Sequence, residues 1–336
     1  RIGDPAPGVS VARAYLQQDF PLGNTGYENA EDGPNQVMGK IPSSRISIIA
    51  GKFSISDFYD NNTYSHDPRT QFLNWSLMSN GAWDYPANTK GYTTGLIAEL
   101  IKPKWAFRLS SVAVPKIANH PEMEYVFGKA HSETAELEWK INVSTRPGVI
   151  RLLYSYTASR APSYKAGLKA LATDDRALLN VISGNGEGHT YGGNKTGIFL
   201  NIQQELSDAL GIFARAGWND GKYATWAFTE IDETIHAGLS LEGTGWRRKN
   251  DVLAIAAAVN GVSADHRAFL KAGGYGFIVG DGTLNYGHEA ILETYYSARL
   301  SANIRLTFDY QFVKNPAYNK ARGPVHVFGV RGHVEF

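Results

Sequence analysis

The chain has 336 residues, 43% of them hydrophobic and 12% aromatic, with 33 Lys and Arg set against 32 Asp and Glu. That balance excludes the basic excess of a nucleic-acid binder, and the absence of cysteine excludes thiol catalysis, disulfides and cysteine-ligated zinc. No run is apolar enough to cross a bilayer as a helix and no Pro- or Ser-rich linker divides the chain, so residues 1–336 are expected to form one domain.

What the chain carries instead is thirteen segments of about ten residues in which every second side chain is apolar. In order they are 9–20, 45–53, 92–100, 104–112, 132–141, 149–157, 197–205, 210–219, 234–242, 251–259, 289–299, 303–313 and 324–336. The pattern is plainest in 303–313, where Ile304, Leu306, Phe308, Tyr310 and Phe312 point one way and Arg305, Thr307, Asp309 and Gln311 the other. Short connectors (101–104, 144–148, 206–210, 243–249, 300–303) alternate with long ones (56–91, 114–130, 159–191, 220–232, 261–287, 314–323). Short turns opposite long loops are the layout of a transmembrane antiparallel up-and-down β-barrel, which satisfies its backbone in hydrocarbon by closing on itself. The stretch 21–44 is the exception, long yet on the short-turn side. Bacterial single-chain barrels have even strand numbers, so the odd count predicts further strands ahead of Arg1; pairing of 9–20 with 324–336 would refute that. A chain that begins at Arg1 with no signal peptide also leads us to expect that a targeting segment has been removed.

With apolar positions facing lipid, the opposite register forms the pore wall. It comprises Arg108 and Ser110; Thr134, Glu136, Glu138 and Lys140; Arg151 and Ser155; Asn201, Gln203 and Glu205; Arg215 and Asn219; Thr234, His236, Ser240 and Glu242. Glu293, Tyr295 and Arg299 follow, then Arg305, Thr307, Asp309 and Gln311, then Arg331 and His333. A ring of one sign would select an ion class, whereas this mixed lattice can hydrogen-bond a neutral polyhydroxylated solute at donors and acceptors alike. The competing reading is that these side chains brace a wet barrel interior.

The segment 56–91 holds Phe58, Tyr59, Tyr64, Phe72, Leu73, Trp75, Leu77, Met78, Trp83 and Tyr85, too much apolar surface for a loop in water. It is expected to fold inward as a constriction and to present Asp60, Arg69, Trp83, Asp84 and Tyr85 to the pore, with Phe72, Trp75 and Leu77 forming its own core. Asp67 followed by Pro68, with Gly81 beyond, predicts a helix over 69–80. In 261–287, Ser263 caps a predicted helix through His266, Phe269 and Leu270 to Gly273, while 281–285 reads as a tight outer turn without the acidic spacing of a calcium loop. A further small helix is predicted over 163–175.

Signals of catalysis are weak. Residues 184–188, Gly-Asn-Gly-Glu-Gly, lack the Lys-Ser/Thr of a phosphate loop. The histidines have no metal-ligand spacing, and there is no Gly-x-Ser-x-Gly elbow. Glu136 and Glu138 imitate a glycosidase pair, but a wall ladder produces the same spacing. No catalytic residue, metal or cofactor is expected.

Three long strings carry a resemblance: GKFSISDFYDNNTYSHDPRTQFLNWSLMSNGAWDYPANTKGYT (51–93), LGIFARAGWNDGK (210–222), and ILETYYSARL through DYQFVKNPAYNKARGPVHVFGVRGHVEF (291–336). They resemble the carbohydrate-selective porins of the OprB family. The resemblance implies a sixteen-stranded barrel in the bacterial outer membrane that passes glucose and related sugars by facilitated diffusion, without cofactor or energy source. It also implies additional sequence ahead of the part matching 9–20, and it matches 57–67, Arg69 and Trp83, Asp84 and Tyr85 to the family's inward loop. The partners expected are small sugars, outer-membrane lipid and lipopolysaccharide, with the barrel a monomer or a homotrimer. The expected constriction sets 56–91 against Arg108, Arg151, Arg215 and Arg305. The runner-up within transport is a channel for small organic acids, favoured if arginines dominate the narrowest point; a barrel enzyme or an adhesin is the rival from another class.

Overall fold

The computed structural model describes residues 9–31, 36–173, 191–276 and 278–335. The glycine-rich 184–188, the far end of the 163–175 helix and the final Phe336 lie outside the described residues. In chain order the strands are β1 (Ala14–Pro21), β2 (Tyr27–Ala30), β3 (Gly39–Pro42), β4 (Arg45–Phe53), β5 (Thr93–Ile101), β6 (Trp105–Val112), β7 (Val114–Pro115), β8 (Met123–Glu124), β9 (His131–Val143), β10 (Arg146–Ser159), β11 (Gly193–Glu205), β12 (Leu210–Asn219), β13 (Glu233–Gly243), β14 (Arg248–Gly261), β15 (Glu289–Arg299), β16 (Ile304–Lys314) and β17 (Val325–Val334). Among the described residues three α-helices lie between them: α1 (Trp75–Met78), α2 (Tyr164–Ala172) and α3 (Ala264–Lys271). Among the described residues no helix is long and apolar enough to cross a membrane.

Thirteen strands form one antiparallel sheet in the order β1-β4-β5-β6-β9-β10-β11-β12-β13-β14-β15-β16-β17, so each strand pairs with its neighbour in the chain once two small ribbons, β2–β3 and β7–β8, are set aside. The expected sorting of short and long connections holds, and the exceptional stretch 21–44 contains the β2–β3 ribbon. At the β9–β10 turn Ser144 and Thr145 both take positive φ (49° and 71°). That is the hairpin conformation whose twist matches the flanking strands. β1 and β17 are the two ends of the sheet and do not pair with each other.

Burial alternates with residue number as the sequence predicts, and in the inverted sense: polar inside, apolar outside. Ser132, Thr134, Glu136 and Glu138 of β9 are buried, while Leu109, Leu152, Tyr154, Trp218, Ile255 and Phe308 stand out from the sheet, exposed. A water-soluble sheet would lose free energy by that choice; a sheet facing hydrocarbon gains by it.

One segment proves that the sheet curls. Residues 54–92 run inside it and touch the inward faces of strands from one end to the other. Arg13, just ahead of β1, donates to Asp57 at 2.7 Å. Glu136 on β9 accepts from the Asp60 amide at 2.8 Å, and Asn201 on β11 and Arg215 on β12 donate to the Asp60 carboxylate at 2.6 and 3.0 Å. Glu293 on β15 accepts from the amides of Leu73 and Asn74 at 2.6 and 2.9 Å, Gln311 on β16 accepts from the Asn74 side chain at 3.1 Å, and Arg331 on β17 donates to the carbonyls of Pro68 and Gln71. A flat or two-layered sheet cannot bring all these strands to one short segment.

The helix expected over 69–80 is not there. Asp67 instead heads a turn, its side chain accepting from the Arg69 amide at 2.9 Å and its carbonyl from Thr70 and Gln71. The helix that forms is the single turn α1, capped by Asn74, whose side chain accepts from the Ser76 amide at 3.1 Å. The physical reason is competition: the Leu73 and Asn74 amides that would have continued a helix from Asp67 are taken by the Glu293 carboxylate. The two other predicted helices do form, with Ser163 capping α2 and Ser263 capping α3 before Gly273 at φ +93°. They pack on one another through Tyr164 stacked on His266, with ring centroids 4.2 Å apart.

Two substitutions test this architecture. Ile255→Arg, on the lipid face in mid-strand, should lower the unfolding free energy in lipid by about 2–4 kcal/mol, whereas Ser240→Arg on the inner face should cost less than about 1 kcal/mol; equal losses in denaturant titrations would contradict the assigned faces. Arg215→Met strands the Asp60 carboxylate in a buried position, a loss of about 3–5 kcal/mol. The expected result is a loosened inner segment, read as cleavage by trypsin after Arg69 and a larger single-channel conductance.

Candidate functional site: an inward loop between two vestibules

The inner segment divides the space inside the sheet. On the side of the long loops lies a cavity of about 350 Å³, whose floor is Asn74, Trp75 and Ser76 and whose walls include Phe228, Thr229, Glu230, Asn260, Ile278, Glu289 and Tyr318. On the side of the short turns lies one of about 470 Å³, roofed by Thr63, Tyr64, Thr70 and Gln71 and walled by Glu205, Asp208, Ser240, Glu242, Ser297, Arg305 and Glu335. Between them the segment is packed. Phe72 and Leu77 are fully buried against Phe213, Tyr295 and the alanines at 254, 256 and 258 of β14. Their expected role as the loop's own core is what the structure contains, while Trp75 is only partly buried and reaches the outer cavity.

The five loop residues expected to face the pore are placed differently from one another. Asp60 is 4% exposed, held by Arg215, Asn201 and the Asn80 amide. Trp83 is 1% exposed and packs edge-on to Tyr59 and beside Tyr85 and Phe199, so its ring is closed off from any solute. Tyr85 is buried between Trp83 and Phe228, and burial pushes its phenol up to about 12, leaving it neutral. Asp84 accepts from three successive amides, those of Trp226, Ala227 and Phe228, at 2.8, 3.1 and 2.9 Å, with the Lys195 ammonium 3.7 Å away. Arg69 alone of the five is exposed, paired with Asp67 at 2.9 Å.

The wall residues divide in the same way. Arg108 binds Glu99, Glu136 and Glu138 at 2.8, 3.0 and 3.1 Å, and Arg151 binds Glu138 and Gln203 at 2.9 and 3.2 Å. Glu136 and Glu138 are therefore members of an arginine network, not a free acid pair. Arg215 completes its fork on the carbonyls of Asp60, Ser65 and Leu77. Glu293 binds the segment's backbone, as given above, Asn201 also donates to the carbonyls of Asp60 and Asn61 at 3.1 and 3.2 Å, and Asp309 lies buried beside Glu293 on the neighbouring strand. Arg305 lines the inner cavity below the 56–91 residues that roof it and donates to the Asn250 carbonyl at 3.0 Å. Arg299 sits at the short-turn rim, donating to the carbonyls of Ser301 and Ala302. The expected set of four arginines is thus three braces, Arg151 and Arg215 buried and Arg108 part-buried, and one vestibule residue.

Sequence reasoning missed the outer cavity. Its walls come from the loops 220–232 and 315–324, from Ile278 and Val279 in the loop between β14 and β15, and from the loop-side ends of those two strands, none of which gives a periodic signal. The cluster Trp226-Ala-Phe-Thr-Glu230, dense in side chains that both pack and hydrogen-bond, was the local clue.

Comparison with known proteins accords with this geometry. The family described as carbohydrate-selective porin, OprB family, matches residues 3–336. Among solved structures, the chain is similar to Pseudomonas putida OprB at high pH, with 17% identity and a TM-score of 0.64 over 85% of this chain and 68% of that one. It is also similar to the same protein at low pH (15%, TM-score 0.48, over 92% and 74%) and to the outer membrane channel DcaP of Acinetobacter baumannii (9%, TM-score 0.45, over 95% and 81%). No protein with a curated description matches. The likeness to the high-pH OprB structure establishes the barrel fold, and the family is one of channels rather than enzymes. The apolar outer face, the wall of polar side chains and the match along nearly the whole chain lead to one conclusion: this protein belongs to the OprB family of carbohydrate-selective porins of the bacterial outer membrane.

Proposed function

We propose that the chain acts as one barrel in which 56–91 is the constriction, and that it passes uncharged sugars such as glucose by facilitated diffusion. The observation that carries this reading is the distribution of charge. Arg108, Arg151 and Arg215 have their guanidinium forks directed into carboxylates and backbone carbonyls behind the loop. Among the described residues the spaces open to solute are lined by carboxylates: Glu230 and Glu289 outside with no Lys or Arg in that lining, and Glu205, Asp208, Glu242 and Glu335 inside against Arg305. Part of the inner charge is balanced by Arg146, which pairs with Glu205 at 2.7 Å and with Asp208. An organic-acid channel needs guanidinium forks free to meet the anion; these are engaged.

A neutral solute meets acceptors and hydroxyl groups without a charge to desolvate, and its binding must be weak, about millimolar or roughly −4 kcal/mol, for release to keep pace with entry. No step in such a passage calls for catalysis or a cofactor.

The reading is tested by flux and by ion preference together. In proteoliposomes glucose should enter faster than gluconate by roughly fivefold, the factor given by about 1 kcal/mol of repulsion. Reversal potentials in a salt gradient should have the sign of cation preference, and Glu242→Gln with Glu335→Gln should reduce it. Anion preference, or gluconate outrunning glucose, would sink the proposal in favour of the organic-acid channel.

A further inference from the structure

We propose that the outer cavity is a binding subsite for a single uncharged pyranose, which is held there before it reaches the constriction; this rests on the reading above. Its volume of about 350 Å³ is at the low end for ligand sites, suited to one ring rather than a chain of sugars. Trp75, half-buried at the floor, is the ring open to the cavity, and Phe228, buried between Trp75 and Tyr85 with ring centroids 4.9 and 5.0 Å away, holds it from the wall. Aromatic faces carry partial negative charge and meet the weakly positive C–H faces of a pyranose, which water solvates poorly.

The polar side is equally specific. Glu289 accepts from the Ala317 amide at 2.9 Å and from Asn260 at 3.5 Å. A carboxylate has about four acceptor positions, so capacity for two sugar hydroxyls remains.

The rings are set in place by contacts that do not touch the solute. Asp84 fixes the backbone of 226–228 through its three amide bonds and thereby holds Phe228 against Trp75. Glu230 accepts from the Ile278 and Val279 amides, and Tyr318 donates to the Glu230 carbonyl at 2.6 Å. The turn that carries Tyr318 has positive φ at Asn315, Ala317 and Tyr318, a conformation that non-glycine residues keep only where surrounding contacts enforce it. Among the described residues the lining holds two carboxylates and neither Lys nor Arg, which makes the subsite hostile to uronates and sugar phosphates.

The test is sugar-induced current noise in planar bilayers, with sugar added on the loop side. Trp75→Ala and Phe228→Ala should each raise the half-saturating glucose concentration roughly five- to tenfold. Glu289→Gln, isosteric and less disturbing to the barrel, should raise it roughly threefold and let glucuronate interrupt the current as glucose does. All three should keep the parent's circular-dichroism β signal and its resistance to unfolding in cold detergent, which reports an intact barrel. Unchanged half-saturation in Trp75→Ala and Glu289→Gln, with glucose still permeating, would overturn the subsite and leave the sugar channel standing. A parent protein whose current glucose never disturbs, and which does not pass glucose into liposomes, would overturn both.

Discussion

An irregular stretch of backbone inside a membrane-spanning sheet has neither water nor a ladder to satisfy its amides and carbonyls, and that requirement organises this molecule. The inner wall answers it group by group. Glu136, Gln203 and Glu293 accept from segment amides; Asn201, Arg215, Asn219 and Arg331 donate to segment carbonyls. Much of what looks like a solute-binding lattice in the sequence is therefore the seat of a loop. Each such bond contributes about 0.5–1.5 kcal/mol net, or about 1.5–3 where one partner is charged, so the seat is held by their sum and not by any one of them.

The seat also settles where charge is left over. Arginine supplies the most donors per side chain, and carbonyls of the loop are what the wall must satisfy, so guanidinium groups are drawn behind the loop. Carboxylates at the short-turn mouth, among them Asp208, Glu242 and Glu335, bind no loop amide and remain in contact with water. A neutral or slightly cation-favouring passage follows from how the loop is fastened.

Legibility in the sequence followed the range of the forces concerned. The alternation of Phe308 with Asp309, and of Leu137 with Glu138, could be read directly because lipid and lumen sort every strand residue by polarity. Ser163 and Ser263 could be read as helix caps because a cap acts within three residues. The helix at Asp67 could not, since its outcome depended on Glu293, more than two hundred residues away in the chain. Trp83 illustrates the same limit: an aromatic on an inward loop suits a sugar or a core equally, and the decision lay with Phe199 on β11. Inward apolar residues such as Ile49, Phe199 and Phe213 broke the polar register for that reason, being walls against which the loop packs dry.

The separation along the chain between a loop residue and its anchor reaches 263 residues, between Arg331 and Pro68. Hairpins between neighbouring strands can zip locally, but a contact of that span has to wait until the last strand exists and the ribbon has rolled up. Assembly thus passes through a wide, unobstructed conduit before the filter is seated. Any lesion that slows seating should declare itself in a living cell as envelope leakiness to antibiotics and dyes, even when the finished protein sieves normally.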